Sequence, residues 1–150
     1  MKTAILILIV YSQFMLSCNS GSKSSKLATP AKPNAPLIET YWKLTEVMGE
    51  KVPPAKPGTR EMHLVLKKTD NRLNAFAGCN TLSGTYELGE GYQLHFLNVI
   101  STLMACPNMT IEESMKKALG MTDNYSILGD SLSLNKARMA PLARFVAVNL

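Results

Sequence analysis

From Tyr41 to the end of the chain, apolar and polar side chains alternate in short runs. Trp42 and Leu44 alternate with Lys43 and Thr45, and Met62, Leu64 and Leu66 alternate with His63, Val65 and Lys67, the period-2 mark of half-buried strands. Between these runs, Val52 to Gly58 carries Pro53, Pro54 and Pro57, which no strand ladder tolerates, so this stretch is expected to be a loop. Asp70-Asn71 predicts a turn, with a returning strand over Arg72 to Ala77. A hairpin follows, from Gly84–Leu88 through Gly89-Glu90-Gly91 to Gln93–Leu97. One segment has a helical period instead. Ile111, Met115, Ala118 and Leu119 form a stripe, Thr110-x-x-Glu113 reads as a capping box, Lys116 and Lys117 suit the negative end of the helix dipole, and Gly120 is expected to stop the helix. Strands are expected again over Tyr125–Leu128, Leu132–Leu134 and Leu142–Val148, with Gly129-Asp130 turning the first into the second. Seven or eight short strands and a single helix cannot build a parallel sheet with helical crossovers. The prediction is an α+β fold in which an antiparallel curled sheet or open barrel packs on one α-helix.

The amino-terminal pattern is different. Lys2 precedes an apolar run from Ala4 to Val10 that continues loosely to Leu16, the order of a secretory signal peptide. At about 1.5 Å per residue, Ala4–Leu16 reaches about 20 Å as a helix, too short for a hydrocarbon core of about 30 Å. Met15-Leu16-Ser17-Cys18 resembles a bacterial lipobox, which makes residues 1–17 a lipoprotein signal peptide and Cys18 the lipidated first residue of the mature chain. Several acyl chains at about 0.8 kcal/mol per buried methylene make such attachment effectively permanent. Asn19, rather than Asp, follows the cysteine; by resemblance to the enterobacterial sorting rule this favours the outer membrane, facing the periplasm. The rest of residues 18–36 is rich in Ser, Lys, Ala and Pro and has little to bury, so it reads as a disordered tether, stiffened by Pro30, Pro33 and Pro36, rather than as a PxxP ligand. The folded domain is expected over residues 37–150.

Charge and composition then exclude several functions. The net charge of +5 arises from 16 bases and 11 acids, but Lys2, Lys23, Lys26 and Lys32 precede every acid, leaving 12 bases against 11 acids in the folded part. A nearly neutral domain lacks the clustered cations that nucleic-acid binding requires. With two His and three Cys, neither a His-rich metal cluster nor a four-cysteine zinc site is available, and no metal or other cofactor is expected.

Two motifs carry a more specific signal. Phe76-Ala77-Gly78-Cys79-Asn80-x-x-x-Gly84-x-Tyr86, then Thr102-x-Met104-Ala105-Cys106, followed by the Glu-containing helix, resemble the META-domain family typified by the heat-shock lipoprotein HslJ. Trp42-x-Leu44, Tyr125-Ser126-Ile127 and Leu132-Ser133-Leu134 also stand where that family has them, so the likeness spans about residues 38–149. Leu103 departs from the pattern, since many relatives carry a basic residue there. The resemblance implies a cracked antiparallel barrel on an envelope lipoprotein, no established reaction, and links to stress tolerance and to pilotin-like folds.

The sulfur atoms leave alternatives open. Once Cys18 carries lipid, Cys79 and Cys106 remain, and in an oxidising compartment their pairing would close a loop of about 27 residues, worth roughly 3–4 kcal/mol. The other reading is two reduced thiols in the core. A thiol enzyme would use Cys79 as nucleophile with His63 or His95 as base, and Met104, Cys106 and Met109 form a soft donor set suited to Cu(I). By analogy with pilotins, Leu103, Met104 and Met109 are candidates to line the barrel mouth around an apolar ligand. Trp42, Phe76, Tyr86, Phe96 and Tyr125 are expected in the core or at the barrel rim, and Gly78, Gly84 and Gly91 at turns or bulges. The sequence thus predicts a lipid-anchored envelope protein whose domain is a non-enzymatic, stress-associated structural or binding module. A pilotin-like lipid- or peptide-binding chaperone for outer-membrane assembly is the alternative, and the expected partners are the membrane and an envelope protein or apolar ligand.

Overall fold

The computed structural model describes residues 33–148. The signal peptide over 1–17, Cys18 and the tether as far as residue 32 lie outside the described residues. Among the described residues, nine strands and one α-helix follow in the order β1 (Tyr41–Val47), β2 (Glu50–Lys51), β3 (His63–Lys67), β4 (Arg72–Phe76), β5 (Thr81–Leu88), β6 (Leu94–Ser101), α1 (Thr110–Met121), β7 (Asn124–Leu128), β8 (Ser131–Asn135) and β9 (Ala143–Val148), with a 3-10 turn over Thr69–Asn71 between β3 and β4. Eight of them form one antiparallel path, β6-β5-β4-β3-β1-β9-β8-β7, and the two-residue β2 folds back on β1. The sheet curls until its two outer strands touch at one end. There Gln93 bridges to Asn124, the Leu94 N–H donates to Asp123 O (3.2 Å) and the Tyr125 N–H donates to Tyr92 O (3.0 Å). This is the cracked barrel expected from the sequence.

Alternation places Trp42 and Leu44 of β1, Leu64 and Leu66 of β3, Leu73 and Ala75 of β4, and Leu132 and Leu134 of β8 on the inward face. There they pack with Met115, Ala118 and Leu119 of α1, which lies against β6, β1 and β8. Trp42 is fully enclosed, and its indole N–H donates to Leu37 O at 2.9 Å. Tyr86 and Phe96 are core residues, whereas Phe76 and Tyr125 are half-buried. Tyr86 donates its hydroxyl to Lys67 O at 3.2 Å.

The helix corrects three details. Thr110 is its first residue and forms no capping box; the Thr110 N–H is instead met by Asn108 Oδ1 at 3.0 Å, two residues earlier. Gly120 lies inside the helix, which ends at Met121, where Thr122 donates its hydroxyl to Ala118 O at 2.8 Å. Glu112 is fully buried beside the stripe while Ile111 packs only partly buried against the core, and Lys116 turns towards Glu112 instead of towards the helix end.

Two irregularities shape the sheet. The register shifts in β1 between Leu44 and Glu46, so that Val47 turns inward, and in β5 between Ser83 and Thr85. At the second, β6 comes so close that a Cβ on Gly84 would lie 2.8 Å from Leu97 O. At the amino end, Asn34 Oδ1 accepts the Gly129 N–H (2.8 Å) and the Ala35 N–H donates to Gly129 O (2.9 Å), fastening residues 34 and 35 to the β7–β8 turn.

Candidate functional site

The two signature motifs meet in space, and Asn80 is where they join. Gly78 adopts φ +107° beside the Met62 methyl, and Cys79 is disulfide-bonded to Cys106 across a Cα–Cα distance of 6.2 Å. Asn80 follows, buried, at the entrance to β5. Its backbone N–H donates to Glu112 Oε2 (2.9 Å), and its amide nitrogen donates to Glu112 Oε1 (3.2 Å) and Met104 O (3.1 Å). Its amide oxygen accepts the Thr102 hydroxyl (2.7 Å) and the Met104 N–H (2.8 Å). Both amide donors and both lone pairs are thus occupied. Thr102 in turn accepts the Thr81 N–H at 3.2 Å, and Lys116 approaches Glu112 at 3.4 Å. The carboxylate is 1% exposed, and nothing in the sequence pattern marked it as the partner of Asn80.

This cluster is a brace. In the disulfide neither Cys79 nor Cys106 is present as the thiolate that a nucleophile or a copper ligand requires. The solvent-facing side chain of His95 agrees with its place between Leu94 and Phe96. Leu103, Met104 and Met109 do come together, lining a cavity of about 210 Å³ with Ala105, Asn80, Glu112 and Lys116. Leu103 is 96% exposed and Met104 59% exposed, so the hollow is open; it is smaller than the roughly 300–1,000 Å³ usual for ligand pockets.

A larger cavity, about 680 Å³, lies on the sheet face opposite α1. Tyr41, His63, Asn74 and Thr81 contribute to it from four strands, while Pro36 and Thr40 of the amino-terminal segment and Arg60 of the loop before β3 complete the wall. Cross-strand register lays rings side by side here: His63 pairs with Phe76, and Tyr41 stacks on His63 with centroids 4.5 Å apart. The Arg60 guanidinium rides 4.6 Å above the Phe76 centroid. Its two terminal nitrogens reach Thr81 Oγ1 and His63 Nε2, each at 3.4 Å. His63 Nδ1 lies 2.8 Å from Glu61 O and therefore carries the proton, leaving Nε2 as the acceptor towards Arg60. Burial, with the Arg60 charge beside it, holds the His63 pKa below the usual 6.5, so the ring is neutral at pH 7.

The other charges around this face are paired. Lys43 is bonded to Glu61, and Lys67 to Glu39 at 2.8 Å, a contact that also lowers the Glu39 pKa. Burial and Glu61 raise the Tyr41 pKa, keeping its hydroxyl protonated. Sequence alternation placed His63 on a strand, but no motif announced that Arg60 and Phe76 would gather around it.

Comparison with known proteins adds three observations. A family model described as META domain matches residues 35–149. No curated protein matches the chain. A solved structure described as the NMR structure of the protein from Burkholderia xenovorans is similar in fold, with a TM-score of 0.60 at 22% identity, over 82% of this chain and 94% of that one.

Proposed function

The chain belongs to the META-domain family, and from that premise we propose that it is a non-catalytic binding module displayed in the cell envelope on a lipid anchor at Cys18. The META domain is not a known enzyme family. The observation that carries the reading is a division of labour in the fold. The chemistry of Gly78-Cys79-Asn80 and Thr102–Cys106 is spent internally on bracing, whereas the open polar and aromatic cavity lies on the opposite face of the sheet. Such a domain presents a stable surface. The stress-associated role and the outer-membrane address follow from the sequence reading and belong to the same proposal.

Metabolic labelling with a palmitate analogue tests the anchor. Incorporation into the native protein, lost in C18S, supports it; an unlabelled soluble pool retaining its leader defeats it. Crosslinking in intact cells through the 680 Å³ cavity, followed by identification of the captured species, tests the binding role. A second reading, a pilotin-like chaperone for outer-membrane assembly, draws on the protruding Leu103 and Met104. Lipid co-purified in native mass spectrometry and displaced by L103S would favour it.

A further inference from the structure

We propose that the cavity opposite α1 is a site for an organic oxyanion, a carboxylate or phosphate monoester carried on a flat apolar body, with Arg60 as its anchoring residue. The inference rests on the binding-module reading above and names the ligand class of that same cavity.

Charge accounting comes first. Around the cavity, Lys43 is matched by Glu61 and Lys67 by Glu39, while among the described residues no carboxylate lies within salt-bridge reach of Arg60. The groups that do touch the guanidinium hold it without neutralising it. Phe76 covers one face of the cation, Thr81 offers a hydroxyl oxygen, and His63 offers a neutral ring nitrogen whose tautomer is fixed by Glu61 O. Two long contacts of 3.4 Å use two of five N–H donors, so the planar fork is held in place with donors to spare. A fork of that kind matches the two oxygens of a carboxylate or phosphate.

The remaining lining defines the body of the ligand. Beyond Arg60 lie the stacked Tyr41 and His63 rings, then Val65, Ala147 and Val148, an apolar floor suited to a ring or short hydrocarbon. Asn74 adds a hydrogen-bonding group to the lining, as does Thr40, whose hydroxyl donates to Pro36 O at 2.6 Å and so faces a ligand as an acceptor. The volume falls within the range usual for small-molecule sites. A polyanion fits poorly, since the paired lysines leave a single net positive charge at the site.

The test is titration of the full chain, purified in detergent, with phenylacetate, phenyl phosphate and the neutral control phenylacetamide, followed by calorimetry and by amide chemical shifts. The expected result is binding of at least one of the two anions, with shifts centred on Tyr41, His63, Asn74 and Thr81; which anion binds more tightly separates carboxylate from phosphate chemistry. R60Q should weaken that binding about tenfold or more, and R60K, which keeps the charge and loses the fork, by an intermediate factor. Equal binding of phenylacetamide, undiminished binding to a folded R60Q, or no binding of either anion would overturn the proposal. Failure here leaves the anchor and crosslinking results untouched, so the two readings fall separately. Should R60Q misfold, the acid-against-amide comparison on the unaltered chain still decides.

Discussion

Asn80 and Glu112 face each other as a buried two-point clamp: the Asn80 backbone and side-chain N–H groups each donate to one oxygen of the Glu112 carboxylate, at 2.9 and 3.2 Å. The pair ties the entrance of β5 to the first turn of α1 and, through the Asn80 amide oxygen, to the loop that ends β6. N80A should therefore cost about 2–4 kcal/mol, because it removes the side-chain donor to a buried carboxylate and the partner of Thr102 and the Met104 backbone, leaving only the backbone N–H on Glu112. E112Q, which keeps the shape but presents an amide nitrogen to donors, should cost less than N80A. Urea unfolding monitored at Trp42 measures both; a loss below about 0.5 kcal/mol for N80A would refute the clamp.

Reduction of the Cys79–Cys106 bond should lower stability by about 3–4 kcal/mol, given a closed loop of 27 residues. The measurement is the melting temperature with and without reductant. Alkylation followed by mass spectrometry of the native protein should find neither cysteine reactive.

Gly84 admits no side chain. Its Cβ position lies 2.8 Å from a backbone oxygen, which cannot swing aside as a side chain would, so G84A should destabilise by about 1–3 kcal/mol. G120A, on an exposed helical position with open space around it, should instead be neutral or stabilising by up to about 1 kcal/mol. The same urea titration compares the two.

His63 should make the domain less stable in mild acid. Its folded pKa is lowered below 6.5, so above that pH the ring is neutral in both folded and unfolded chains and contributes no slope. As pH falls below about 6.5 the unfolded chain takes up a proton that the folded one resists, and stability declines until the folded pKa is reached. The groups facing the ring are Tyr41 and Lys43 from β1, Phe76 from β4, and Arg60 and Glu61 from the preceding loop. Glu39 and Asp123, whose pKa values are also lowered, lose their contributions only in stronger acid, below about 4.5 and 3.8. H63F should abolish the slope between pH 7 and 5, read as the urea midpoint at each pH.

The period-2 runs and turn residues made the strands legible, because each hairpin from β3 to β6 and from β7 to β8 is a local decision of alternation plus a turn. What alternation cannot encode is pairing between distant segments. Tyr41 meets Val148, and only the assembled sheet decides it. The helix caps escape local pattern for a related reason: Thr110 and Gly120 carry the right propensities, but Asn108 sits where the folded backbone needs an acceptor and Thr122 where it needs a donor. Glu112 defied the apolar stripe because Asn80, 32 positions away, supplies its compensation. The braced cluster could be located from its motifs, whereas the Arg60 site was hidden; the aperiodic loop before β3 carries no pattern, and its meaning arises only when Phe76 and His63 come beside it.

The pairing of β1 with β9 also sets a timetable. A ribosome or a translocation pore delivers Trp42 about a hundred residues before Phe145, so β1 must wait with one flank bare until the final strand emerges. Hairpins in between can form as they appear, but the barrel completes only at the end, like a clasp fastened last. Nascent chains released before Ala143 should accordingly be protease-sensitive throughout, and those extending past Val148 resistant.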